Sequence, residues 1–144
     1  MAADLTDIYG EFRLAVSAVQ PTLPLTEADY ITLFKRGIRK MYIDTGRSEQ
    51  YSGQKLNVET MEWDEDMGQD EQWYACLAAQ AAFCDQIILD ASGSGRITQH
   101  KTDALTVVYS DKGAGVAQAM RDALRQDLTE AFHKMPQYAE PMGG

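Results

Sequence analysis

Tyr74-Ala75-Cys76-Leu77-Ala78-Ala79-Gln80-Ala81-Ala82-Phe83-Cys84 is the most apolar stretch of the chain, interrupted by Gln80 and closed by Asp85. It is much too short to span a bilayer, which takes roughly 20 apolar residues in a helix. It lies inside a longer segment, Gln69 to about Ala91, where Trp73, Leu77, Ala81, Cys84 and Ile88 recur every three or four residues, the spacing of one helix face. Ala75, Ala78, Ala79, Ala81 and Ala82 leave room for a neighbouring helix to approach closely. Cys76 and Cys84 are separated by about 12 Å of helical rise, too far for a disulfide. They read as small buried apolar residues in a reducing compartment. Ser92-Gly93-Ser94-Gly95 is expected to end this helix as a flexible turn.

Upstream, Leu5, Ile8, Phe12, Ala15 or Val16, and Val19 mark a first helix over roughly Asp4–Val19, which Pro21 and Pro24 stop. Thr26 is a good N-cap for a second helix, with Glu27 and Asp29 in its first turn. Its apolar stripe is Tyr30, Leu33 or Phe34, Ile38, and Met41 or Tyr42. Lys35, Arg36, Arg39 and Lys40 crowd its C-terminal half, where cations suit the negative end of the macrodipole, and Gly46 is a natural C-cap. From Tyr51 to Gly68 the helical period is lost, and Leu56-Asn57-Val58-Glu59-Thr60 alternates weakly, as one short strand would.

Downstream, Thr102–Tyr109 is the clearest strand, with Leu105, Val107 and Tyr109 on alternate positions, and Asp111-Lys112-Gly113 reads as a turn. A last helix is expected over about Gly115–Met135, carrying Val116, Met120, Leu124, Leu128 and Phe132, and Pro136 ends it. The fold class is therefore mainly α: a four-helix bundle-like domain over residues 1–136 with one or two short β-strands or extended arms. Residues 137–144 are expected to form a flexible C-terminal tail.

Lys and Arg total 13 against 22 Asp and Glu, a formal net charge of -9 and a pI near 4.6. Phosphate backbones repel such a chain, so nucleic-acid binding is not expected as a main activity. The N-terminus has neither a basic nor an apolar leader region, so no signal peptide is expected, and nothing suggests a membrane span.

Glu59, Glu62, Asp64, Glu65, Asp66, Asp70 and Glu71 fall within thirteen residues without one Lys or Arg. Clustered carboxylates can hold a divalent metal, but a solvated acidic surface is the commoner outcome. Asp64-Glu65-Asp66-Met67-Gly68 misplaces the glycine of a calcium loop and lacks its distal Glu. Glu59 and Glu62 imitate the Glu-x-x-Glu pair of all-α metal-dependent phosphohydrolases, yet that pair needs a helix, and this stretch does not read as helical. His100 and His133 are tied to no nucleophile or metal motif, and the Ser92–Arg96 loop lacks the ending of a phosphate-binding loop. No catalytic constellation is recognisable, and no cofactor or metal is expected. Trp73 reads as core, whereas Trp63, beside exposed carboxylates, reads as a subunit contact.

Lys101-Thr102-Asp103-Ala104-Leu105-Thr106-Val107, continued by Tyr109-Ser110-Asp111-Lys112, resembles a pattern in head–tail connector proteins of tailed bacteriophages. So does the alanine-rich helix Tyr74–Asp90. Arg36-Gly37-Ile38-Arg39-Lys40-Met41-Tyr42 with Asp44-Thr45-Gly46 is similar to that family's second helix, and Phe132-His133-Lys134-Met135 with Tyr138 to its C-terminal helix. The similarity runs from about Thr26 to Tyr138.

The resemblance implies a structural virion protein, a head-completion adaptor and not an enzyme. It would form a ring with other copies of itself, usually dodecameric, beneath the portal protein ring. Such a ring extends the DNA channel, through which DNA passes without specific binding, and offers a platform to a neck or tail completion protein. The expected location is the virion neck, with the host cytoplasm during assembly. Extended segments are expected to make the contacts, so Leu56, Val58, Trp63, Leu105, Val107, Tyr109 and Tyr138 are the candidate interface residues. Glu59, Glu62, Asp64, Glu65 and Asp66 are the candidate acidic channel surface. The alternatives are the phosphohydrolase using the acidic run, or a helical adaptor in a cellular complex.

Overall fold

The computed structural model describes residues 2–19, 24–99 and 112–135, together with the side chains of all of these except 91–99 and 112–114. Four α-helices lie among them: α1 (Thr6–Val16), α2 (Glu27–Asp44), α3 (Gln69–Gln99) and α4 (Lys112–Lys134). The two-residue strands β1 (Ala3–Asp4), β2 (Leu56–Asn57) and β3 (Glu62–Trp63) make one small antiparallel sheet in the order β1-β3-β2. The helical class read from the sequence is the one found, with more strand pairing than expected.

Local chemistry sets the helix ends. A capping box starts α2: the Thr26 hydroxyl accepts from the Asp29 amide (3.2 Å) and the Asp29 carboxylate from the Thr26 amide (2.9 Å). At its other end the Arg47 amide donates to the Tyr42 carbonyl (2.7 Å) and the Gly46 amide to that of Ile43 (3.1 Å). This is a Schellman closure. It needs a left-handed residue, and Gly46 supplies φ 81°. α1 begins at Thr6, later than the periodicity suggests, because Ala3 and Asp4 pair with β3 and the Asp4 carboxylate accepts from the Thr6 amide (3.0 Å).

α3 is the axis of the molecule. Every residue from Tyr74 to Ala81 is buried, because α1, α2 and α4 all pack on this one helix while touching each other little. Small residues make that possible. A Cβ placed on Gly37 of α2 would lie 2.6 Å from the Ala79 amide nitrogen and 2.8 Å from the Ala79 Cβ. The close approach expected at the alanine-rich centre is thus realised against Gly37.

α3 also runs straight through Ser92-Gly93-Ser94-Gly95, where the sequence suggested a turn, to Gln99. Each helical Gly costs roughly 1 kcal/mol against Ala. Unlike Pro it neither clashes nor removes a hydrogen bond, and extending an already nucleated helix is favourable. α4 likewise starts at Lys112, so Lys112 and Gly113 are helical and not part of a turn. The expected strand Thr102–Tyr109 and the tail after Pro136 lie outside the described residues.

Two aromatic clusters lock the outer elements to this axis. Tyr9, Phe12, Phe34, Tyr30 and Phe83 form a chain of ring contacts from α1 through α2 to α3, with centroids 5.1–6.5 Å apart. Trp63, Tyr42 and Tyr51 form the second, which pins the hairpin to the end of α2.

Candidate functional site: two charged surfaces

The segment 54–63, expected as an extended segment to contact other subunits, folds back on its own subunit. β2 turns into β3 through Val58–Met61, with the Met61 amide donating to the Asn57 carbonyl (2.7 Å) and Met61 itself left-handed at φ 58°. The register sets Leu56 and Ala3 on either side of Trp63, and Asn57 and Asp4 on either side of Glu62. Alternation sends the first trio inward and the second outward.

Leu56 and Trp63 are therefore core residues, which corrects their expected role as subunit contacts. The Trp63 indole donates to the Tyr42 hydroxyl (2.8 Å), which donates to Glu65 (2.9 Å). Trp73, expected in the core, is instead 44% exposed. Val58, at the hairpin tip, is the one expected contact residue that the structure exposes, and Leu105, Val107, Tyr109 and Tyr138 lie outside the described residues.

The acidic run divides by depth. Glu59, Glu62, Asp64 and Asp66 are exposed and have no cation within ion-pair distance among the described residues. Asp4 joins them, since it sits beside Glu62 on the outer face of the sheet. Glu65 does not belong to this surface. It pairs with Lys55 (2.7 Å) and supports Tyr42. The Lys55 hydrogen bond holds its carboxyl below the usual range, and burial pushes the Tyr42 phenol up to about 12.

Glu71, the last of the run, is buried. It accepts from the Gly68 amide (3.0 Å), as the third residue of a capping box does, and pairs with Arg47 (2.6 Å). The Arg47 guanidinium lies 4.6 Å from the centre of the Tyr42 ring. This clasp joins the end of α2 to the start of α3, and nothing in the local spacing announces it. Glu59 lies in the turn and Glu62 on β3, so the two carboxylates do not share a helix face as the phosphohydrolase pair requires. Among the described residues no group of three His, Cys, Asp or Glu side chains is placed to hold a metal ion.

The second surface is α2's outer face. The sequence pattern suggested only a macrodipole role for Lys35, Arg36, Arg39 and Lys40. In the fold they form a cationic ridge bordered by a groove of about 520 Å³ lined by Thr32, Lys35, Arg36, Arg39, Tyr51 and Ser52. Lys40 pairs with Asp44 (2.9 Å), but Lys35, Arg36 and Arg39 have no carboxylate within ion-pair distance among the described residues. Ile43, one turn on, is 48% exposed. The repeat of cations at 35, 36, 39 and 40 was the available signal, because three- and four-residue spacing puts them on one face.

A further groove, of about 440 Å³, lies between α2 and α4 over Tyr74, with Arg121, Arg125, Leu128 and Phe132 on its wall. Its cations are matched internally: Lys40 by Asp44, Arg121 by Asp85 (2.9 Å) and Arg125 by Asp122 (3.8 Å). Cys76 and Cys84 are both buried and unbridged, and burial raises each thiol to about 11.

The described surface thus carries two opposite charge patches, cationic on the outer face of α2 and acidic on the hairpin. Comparison with known proteins finds no matching family model, no matching curated protein and no matching solved structure. No helix among the described residues is long and apolar enough to cross a membrane.

Proposed function

We propose that this chain is a head-completion adaptor of a tailed bacteriophage: a structural virion protein of the neck that forms a ring, dodecameric as in the family it resembles, beneath the portal. The ring extends the DNA channel and presents a platform to a neck or tail completion protein. The observation that carries the reading is that, among the described residues, the segments bearing the resemblance pack as one unit. Gly37, from Arg36–Tyr42, abuts Ala79 of the alanine-rich helix. Tyr74, from the same helix, meets Phe132 of the C-terminal segment, with ring centroids 6.3 Å apart. A chain whose similar pieces were scattered over unrelated parts of the fold would give the resemblance less weight.

The chain's net charge of -9 fits the same role, since a negative wall does not retain passing DNA. The test is co-assembly: the purified chain is mixed with cognate portal rings and imaged by electron microscopy. An added ring of density below the portal is the expected result. A cognate portal that stays bare would sink the proposal.

A further inference from the structure

A ring needs two different patches on each subunit, so that each copy presents one and receives the other. We propose that the cationic ridge of α2 (Lys35, Arg36, Arg39) docks on the acidic hairpin face (Asp4, Glu59, Glu62, Asp64) of a second copy of the chain. The inference rests on the ring reading above and names its interface.

Three observations converge on a second copy as the occupant. The first is charge: in a chain of net charge -9, three cations stand together without an ion-pair partner among the described residues, and so do the hairpin carboxylates. Each patch lacks what the other holds. The second is the apolar content of each patch. Ile43 beside the ridge is 48% exposed and Val58 at the hairpin tip 47%, so each charged rim has an apolar residue to bury, the usual anatomy of a protein interface. A bare phosphate backbone would not use either.

The third is placement. Asp4 and Glu62 sit directly opposite each other on neighbouring strands, so the outer face of the sheet presents two carboxylates side by side. A guanidinium brought in from another copy can pair with both. The groove over Tyr74 has no comparable demand, because its cations already have carboxylates.

Charge swapping tests this directly. One variant carries Arg36→Glu and Arg39→Glu, the other Glu62→Lys and Asp64→Lys, and self-association is followed by sedimentation velocity at low and high ionic strength. The wild-type chain is expected to associate at low salt and dissociate as salt is added. Each variant alone loses roughly tenfold or more in self-association. Their equimolar mixture regains it, and native mass spectrometry finds the two variants alternating. Glu62→Lys alone weakens association while leaving the melting temperature of the isolated subunit near that of wild type, a combination that a purely structural role for Glu62 does not give.

The docking is overturned if the wild type stays monomeric at low ionic strength and millimolar concentration, if Arg36→Glu/Arg39→Glu associates like wild type, or if the mixture fails to recover. It is also overturned if that variant keeps self-association and loses only retention on DNA, because the ridge would then face nucleic acid. In the portal assay, a ridge variant that joins as well as wild type refutes the docking and leaves the adaptor reading standing. A wild-type chain that never joins refutes the adaptor reading, whatever the variants do in sedimentation.

Discussion

Replacing Gly37 by Ala adds a single methyl group and is expected to be among the most damaging small changes in this protein. The new Cβ would sit 2.6 Å from the Ala79 nitrogen and 2.8 Å from its Cβ, where ordinary contact begins at 3.4 Å. The opposing atoms are helix backbone and a methyl group, so no flexible side chain can swing aside, and α2 must move off α3. Overpacking of this kind costs about 1–3 kcal/mol, and a backbone clash belongs at the upper end. Ala regains roughly 1 kcal/mol over Gly in helix propensity, which leaves a net loss of about 2 kcal/mol. For a chain of this length that lowers the melting temperature by about 6–8 °C.

Gly10 in α1 is the matched control, because a Cβ there meets nothing within 4 Å. Gly10→Ala should stabilise by up to about 1 kcal/mol. Urea and thermal unfolding followed by circular dichroism would measure both. If Gly37→Ala melted at or above the wild-type temperature, the claim that α2 and α3 are in backbone contact would be wrong.

The buried clasp predicts that Glu71→Ala, which removes the carboxylate paired with Arg47, costs about 3–5 kcal/mol in urea unfolding, several times the effect of Glu59→Ala on the exposed turn. Glu65 has a lowered folded pKa, so its stabilising contribution is present above the unfolded carboxylate value and is lost as pH falls through the folded one. Glu65→Gln should therefore flatten the fall in stability on acidification, and an unchanged acid limb would contradict the Lys55–Glu65–Tyr42 arrangement. Cys76 and Cys84, buried and with thiols raised to about 11, should react with a disulfide reagent at pH 8 only as fast as the chain opens. Rapid labelling of the native protein would mean that α3 is not enclosed.

Much of the fold was legible because helices longer than three turns print their period on the sequence. Phe12, Val16, Ile38, Tyr42, Cys84 and Leu124 are buried as their spacing suggests. The capping residues Thr26 and Gly46 act as their chemistry requires. The sheet was largely illegible, since strands of two residues are too short to show alternation. Asp4 reads as the start of a helix for that reason, and β3 was not distinguished from the acidic run.

The two tryptophans exchanged roles because neighbouring charges say nothing about which way a strand residue faces. Pairing with Ala3 and Leu56 decided Trp63, whereas Trp73, near the start of α3, stands 44% exposed. Glu65 and Glu71 left the acidic surface for a similar reason. Their partners, Tyr42, Lys55 and Arg47, are 10 to 24 residues away, and no local pattern records such a meeting. The cationic ridge was visible as a spacing, but its lack of partners is a property of the folded surface.

The enclosure of α3 has a consequence for how the protein comes into being. α1 and α2 precede it in the chain, so while the ribosome has delivered only the first half, Phe34 can meet Tyr9 and Phe12, but Tyr30 lacks Phe83 and Gly37 lacks Ala79. The N-terminal half must wait for the alanine-rich segment to emerge, and that segment in turn keeps an open flank until α4 is made. Synthesis therefore carries an unfinished domain almost to its last helix, and folding arrives late and all at once.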